Sequence, residues 1–180
     1  MPSTLFGLPT HAMIVHAAVV LIPLAALAVL LHAFWPAARR RLGAGTPILA
    51  GIALILTPLA TSSGDNLEHM VGENALVEKH AELADGLLPW VLGLFVVGLG
   101  LWLLDRRRAR AGARTAPAGA DGPGARRTGE PRWLPVVAGV LAVVAVVGTV
   151  QQVVRAGHAG AEATWSDVVQ QAPKGGGDEG

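Results

Sequence analysis

Six histidines and no cysteine set the chemistry this chain can offer. Imidazole titrates near neutrality and ligates haem iron, zinc or copper. Disulfides, thiolate zinc sites, iron–sulfur clusters and cysteine nucleophiles all need the residue that is missing. A histidine at or inside a membrane boundary is costly without a partner, so where His11, His16, His32, His69, His80 and His158 fall against the apolar runs decides what they can do.

His11 and His16 are five positions apart, which on one helix leaves them about 140° apart. They cannot both point at the centre of a bundle. His16 lines up with Val20, Pro23 and Leu27 and is read as the inward one; His11 follows Pro9 and either caps the helix or lies in the interface. Around His80, Leu76, Leu83, Ala84 and Leu87 lie within about 60°, while Glu78, Glu82 and Asp85 fall on the opposite, solvated face. His80 therefore faces protein, and Glu73 shares its face if the helix extends that far outward. His158 stands in "AGHAGAEATW", where Gly157 and Gly160 allow a neighbouring helix to approach and the imidazole to reach across. His69 has i,i+4 ligand spacing to Glu73, a weak match, and His32 beside Trp35 reads as a side chain reaching the inner headgroups. Neither is assigned a role.

The elements that must position these rings follow from composition. Of 180 residues, 52% are hydrophobic and 15% charged, which is too oily for an ordinary soluble domain. A net charge of +1 argues against nucleic acid binding. Four apolar runs reach the ~20 residues a bilayer core demands or approach it: about 12–35, 46–63, 86–104 and 134–154. Pro23 should kink the first. Thr46-Pro47 reads as an N-cap followed by proline at the first helical position of the second, which Pro58 interrupts. Trp90, Trp102 and Trp133 fall where interfacial aromatics belong. The expected fold is an all-α, four-helix transmembrane bundle over residues 1–165. Within it 105–132 forms an Arg/Gly/Ala/Pro-rich flexible loop, and 166–180 follow as a disordered tail.

Basic residues set the orientation. Arg39, Arg40 and Arg41 separate spans one and two, and eight arginines from Arg106 to Arg132 separate three and four, so both loops are expected in the cytoplasm. The topology is then N-out and C-out, with every histidine but His32 at the outer face. A cleaved signal peptide would carry its basic residues ahead of the first run, whereas here they follow it.

Three stretches, "GLPTHAMIVHAAVVLIPLA", "LVEKHAELADGLLPWVLGL" and "GHAGAEATW", together resemble the bacterial membrane family catalogued as domain of unknown function 2231. The resemblance covers about residues 5–165 except the arginine-rich loop. It implies a multi-pass protein of a bacterial cytoplasmic membrane, and its family-like positions are His11, His16, His80 and His158. That histidine pattern is similar to that of four-helix b-type cytochromes. Where the family carries an aromatic–proline pair after the second histidine, this chain has Ala17-Ala18.

Three functions remain open. In the first, two inward histidines, His16 with His80 or His158, hold a haem b for electron transfer, which brings with it a redox partner or a quinone. In the second, converging imidazoles and Glu73 or Glu162 hold zinc or copper. In the third, the protein is a structural or partner subunit with no cofactor. Thr57, Thr61, Ser62 and Ser63 at the outer end of span two could bond a propionate or satisfy carbonyls around Pro58. No nucleophile elbow accompanies those serines, and no charge lies mid-membrane, so neither catalysis nor transport is assigned.

Overall fold

The computed structural model describes residues 4–5, 8–71, 75–115, 131 and 133–171. Two short strands, β1 (Thr4–Leu5) and β2 (Leu8–Pro9), pair antiparallel just ahead of the first helix. All other described elements are helices: α1 (Thr10–Phe34), α2 (Pro36–Leu42), α3 (Gly45–Val71), α4 (Ala75–Asp85), α5 (Leu88–Thr115) and α6 (Trp133–Gln171). Four helices are long and apolar enough to cross a membrane, as the apolar runs predict.

α1 packs on α3 and α6, and α5 closes the ring by packing on both of those. Neighbours therefore run antiparallel. The end where α1 begins and α6 finishes, here the terminal end, lies opposite the arginine end, where α1 leads through α2 into α3. α4 folds back on the distal part of α6 after a break at Gly86–Leu87.

Small residues dominate the buried core, with Ile22, Val29, Val91 and Leu94 its larger members. Ala18, Ala25, Ala26, Ala28, Ala50, Ala53, Ala142 and Ala145 are buried, while Val20, Leu27, Ile48, Ile55, Val96, Val136, Val144 and Val154 are exposed. Lipid is as apolar as leucine, so helices in a bilayer gain little by hiding large side chains and more by approaching closely over small ones. An exterior of this kind suits lipid rather than water.

Helix bounds exceed the apolar runs. α5 continues through Arg106–Arg108 to Thr115, so Asp105 is helical rather than the start of a loop, and α6 runs without interruption through His158 to Gln171. Arginine and alanine favour helix, and a helix need not stop where the lipid does. The rest of the expected loop and the tail beyond 171 lie outside the described residues. Pro23 and Pro58 sit inside unbroken helices, as neighbours in a bundle permit.

At the arginine end Pro36 begins α2 and Gly43 ends it with φ +45°, a conformation that favours glycine. The turn brings Arg39 back over α1, where its Nε donates to the His32 carbonyl at 2.9 Å and its Nη2 to that of Ala33 at 2.7 Å. These are carbonyls the helix end leaves without partners, so Arg39 caps α1.

Trp90 lies in a notch over Gly148, and the Thr149 hydroxyl donates to the Trp90 carbonyl at 3.3 Å. A Cβ at Gly148 would overlap the indole Cε3 and Cζ3. Gly148→Ala is expected to destabilise the α5–α6 pair by about 1–3 kcal/mol, as overpacking does. Gly93→Ala, where a Cβ meets nothing within 4 Å, should not. Thermal unfolding in detergent compares the two.

Candidate functional site

The histidines divide between the two ends of the bundle. His11, Ala18, Ala25 and His32 recur every seven residues on α1 and share its inward face. His11 thus lies at the terminal end and His32 at the arginine end of one stripe, about 31 Å apart at 1.5 Å per residue.

At the terminal end, the His11 ring lies against α3. The Ser63 hydroxyl donates to the Ala60 carbonyl at 2.8 Å, so its oxygen accepts the His11 Nδ1–H at 3.0 Å. The ring packs over Gly64, where a Cβ would come 3.1 Å from His11 Cε1. His80, on α4, is fixed in the same manner against α6. Its Nδ1–H donates to the Ala156 carbonyl at 2.9 Å, and a Cβ at Gly160 would come 3.0 Å from its Cε1 and Nδ1. Both rings therefore lie on glycine and give Nδ1 to protein, which makes Nε2 the basic nitrogen of each. His80 and Asp65 are near enough for their charges to act on His11.

His80 faces protein and Glu78, Glu82 and Asp85 are exposed, as the helical geometry predicts. Two other placements are corrected. His16 is exposed on the lipid-side face of α1, beside Val20 and Leu27, and donates Nδ1–H to the Ala12 carbonyl of its own helix at 2.6 Å. That face carries Val20, Leu24 and Leu27, whereas the inward face mixes Ala18, Ala25, Ala26 and Ala28 with Ile22 and Val29, so size alone does not mark the inner face as it does in a water-soluble helix. His158 does not cross an interface either. Its side chain is 75% exposed and pairs with Glu162 at 3.2 Å, and Glu162 also takes Lys79 at 3.2 Å. Gly160 opens the interface for His80 instead.

The side chains of Glu68 and His69, and Glu73 altogether, lie outside the described residues. The Thr57, Thr61 and Ser63 hydroxyls donate to the Ala53, Pro58 and Ala60 carbonyls of their own helix. Among the described residues no group of three or more histidine and carboxylate side chains is gathered as a metal ion would need.

No protein-family model matches the chain, and neither a curated protein nor a solved structure matches it. The chemistry must be argued from these side chains alone.

The arginine end holds what the sequence reading passed over. His32 is 1% exposed and is a buried junction of three helices rather than a headgroup contact. Its Nε2–H donates to Asp105 Oδ2 on α5 at 3.0 Å, and the Thr46 hydroxyl of α3 lies 2.8 Å from its Nδ1. Thr46, read from sequence as an N-cap, spends its side chain on His32. Asp105 Oδ1 lies 3.7 Å from Arg39 Nη1 and 3.6 Å from Arg108 Nη1. Hydroxyl, imidazole and carboxylate in series are also the parts of a hydrolytic triad, yet Thr46 is 0% exposed and no substrate can reach it. The series clamps α1, α3 and α5. Two signals for it were in the sequence: the seven-residue repeat ending at His32, and a lone acid at the end of an apolar run.

Proposed function

We propose that the chain is a multi-pass protein of a bacterial cytoplasmic membrane, N-out and C-out, with a two-histidine site for one haem b at its terminal end. His11 and His80 are the ligands. The observation that carries this is the shared tethering of the two rings: each gives Nδ1 to a neighbouring helix and keeps Nε2 as a donor, the second-coordination pattern of ligating histidines. The donor set also favours haem over a bare ion. A structural zinc site needs about four protein ligands, and two imidazoles complete an iron that a macrocycle already holds by four nitrogens. The bound group would supply one-electron chemistry. The protein's own part is to fix the imidazoles through Ser63 and Ala156. His16 and His158 drop out of the ligand set, since one is turned to lipid and the other to Glu162. The resemblance to the domain of unknown function 2231 family supports the bacterial membrane setting, and a redox partner is implied.

Orientation rests on the arginines of α2 and of the α5–α6 connection. A cysteine replacing exposed Glu78 should be labelled by an impermeant reagent on intact spheroplasts, and one replacing exposed Ala109 should be protected until the membrane is opened. The opposite pattern inverts the topology.

The test of function is an absorption spectrum, oxidised and reduced, of protein purified in mild detergent from cells supplied with haem precursor, with metal analysis on the same sample. A Soret band near one haem per chain, with reducible α and β bands, is expected. A colourless protein overturns the haem reading and favours a structural one, in which His11 ties α1 to α3 and His80 ties α4 to α6.

A further inference from the structure

At the arginine end a cleft opens between α1, α5 and α6, lined by Arg39, Asp105 and Arg108 at its polar side and by Leu101, Leu104 and Ala138 among its apolar walls. Its free space is about 50 Å³. At roughly 10–15 Å³ for each water-sized occupant, that holds about three to five non-hydrogen atoms at once, room for the five of a phosphate group at most and far short of a ring cofactor. Two cations face one carboxylate there, and the exposed Arg40, Arg41, Arg106, Arg107 and Arg110 raise the local potential further. Arg106 itself lies over the Trp102 ring, 4.8 Å from its centroid.

Asp105 neutralises one of the two guanidinium charges, leaves the mouth of the cleft a net cation, and keeps its arginines in place. Its Oδ2 is taken by His32 from inside the bundle, while Oδ1 lies at ion-pair distance from both guanidinium groups and holds them side by side. Arg39 is fixed a second time by the carbonyls of His32 and Ala33. Paired guanidinium groups held at the level where an apolar wall ends match a phosphodiester whose acyl chains lie along that wall.

We infer that this cleft is a binding site for an anionic phospholipid, with the headgroup phosphate between Arg39 and Arg108 and an acyl chain along Leu101 and Leu104. A quinone coupled to the histidine pair does not fit, because about 31 Å of α1 separates the two ends. The site is independent of the haem reading and stands or falls separately.

The test is native mass spectrometry of the delipidated full-length protein in neutral detergent, titrated with phosphatidylglycerol or phosphatidylcholine of the same chain length. At least tenfold preference for phosphatidylglycerol is expected. Arg108→Gln should remove most of that preference, and Arg107→Gln, whose side chain does not line the cleft, should retain it. Ala138→Leu, which fills the apolar wall and leaves the charges in place, should weaken both lipids. Circular dichroism on each variant identifies any that fails to fold. Equal binding of the two lipids, or equal effects of Arg108→Gln and Arg107→Gln, overturns the proposal. Glycerol 1-phosphate, the headgroup without acyl chains, should not compete at equal concentration; full displacement by it would assign the site to a free phosphate compound instead of a lipid.

Discussion

His32→Ala is expected to lower the stability of the bundle by about 3 kcal/mol, because it empties a fully buried site and removes the hydrogen bonds to Thr46 and Asp105. Removing the ring strips Asp105 Oδ2 of its donor and leaves the buried Thr46 hydroxyl facing a void. Thr46 is fully buried and cannot turn to water for compensation, whereas Asp105 keeps Arg39 and Arg108. Thr46→Val removes one hydrogen bond and should cost about 1 kcal/mol. The double variant His32→Ala/Asp105→Ala should cost less than the sum of the two single changes, because both remove the same His32–Asp105 hydrogen bond. Equilibrium unfolding in mixed micelles, followed by circular dichroism, measures the set. His158→Ala, at a side chain 75% exposed, serves as the reference and should be silent. Additive costs for His32 and Asp105 would mean the two side chains are not coupled.

If the terminal-end pair holds haem as proposed, His11→Ala and His80→Ala should each abolish the low-spin spectrum, while His16→Ala, His158→Ala and His32→Ala should leave it intact. Loss of one axial ligand removes the low-spin state whichever partner is changed, so the two effects should be equal in kind. Free imidazole should restore the spectrum in His80→Ala, since it replaces the ligand and not a helix contact. Gly160→Val tests the seat without touching the ligand: even its Cβ falls 3.0 Å from the imidazole, so the ring must move and the low-spin fraction should drop. Gly157→Val, in the same helix with nothing within 4 Å of its Cβ, should not lower it. A low-spin spectrum that survives His80→Ala but not His16→Ala would restore the ligand set first read from sequence.

His16 is exposed although it lines up with Val20 and Leu27 on α1. Aligning it with Val20 and Leu27 treats large apolar residues as the mark of a helix's inner face. In water that is sound, because burial of large side chains drives packing. Here those residues are exposed and the alanines of the same helix are buried. The alanines at 18, 25, 26 and 28 mark the inward face, and they would have selected His11 and His32. His80 was placed correctly because α4 stands on α6 with charges on its other side, where the ordinary contrast between polar and apolar faces still holds.

By itself the sequence determined that four helices are long and apolar enough to cross a membrane, roughly where each begins, and that the arginines gather in the connections at one end. These depend on apolar length and charge along the chain, which are local quantities. Only the tertiary structure decided how far each helix runs past the lipid, which way each is rotated, and which histidine meets which helix. Lipid and bundle interior are alike in polarity, so hydropathy cannot tell the two faces apart. The choice falls to close packing over alanine and glycine, and to hydrogen bonds such as His32–Asp105 and His80–Ala156 that join residues more than seventy positions apart.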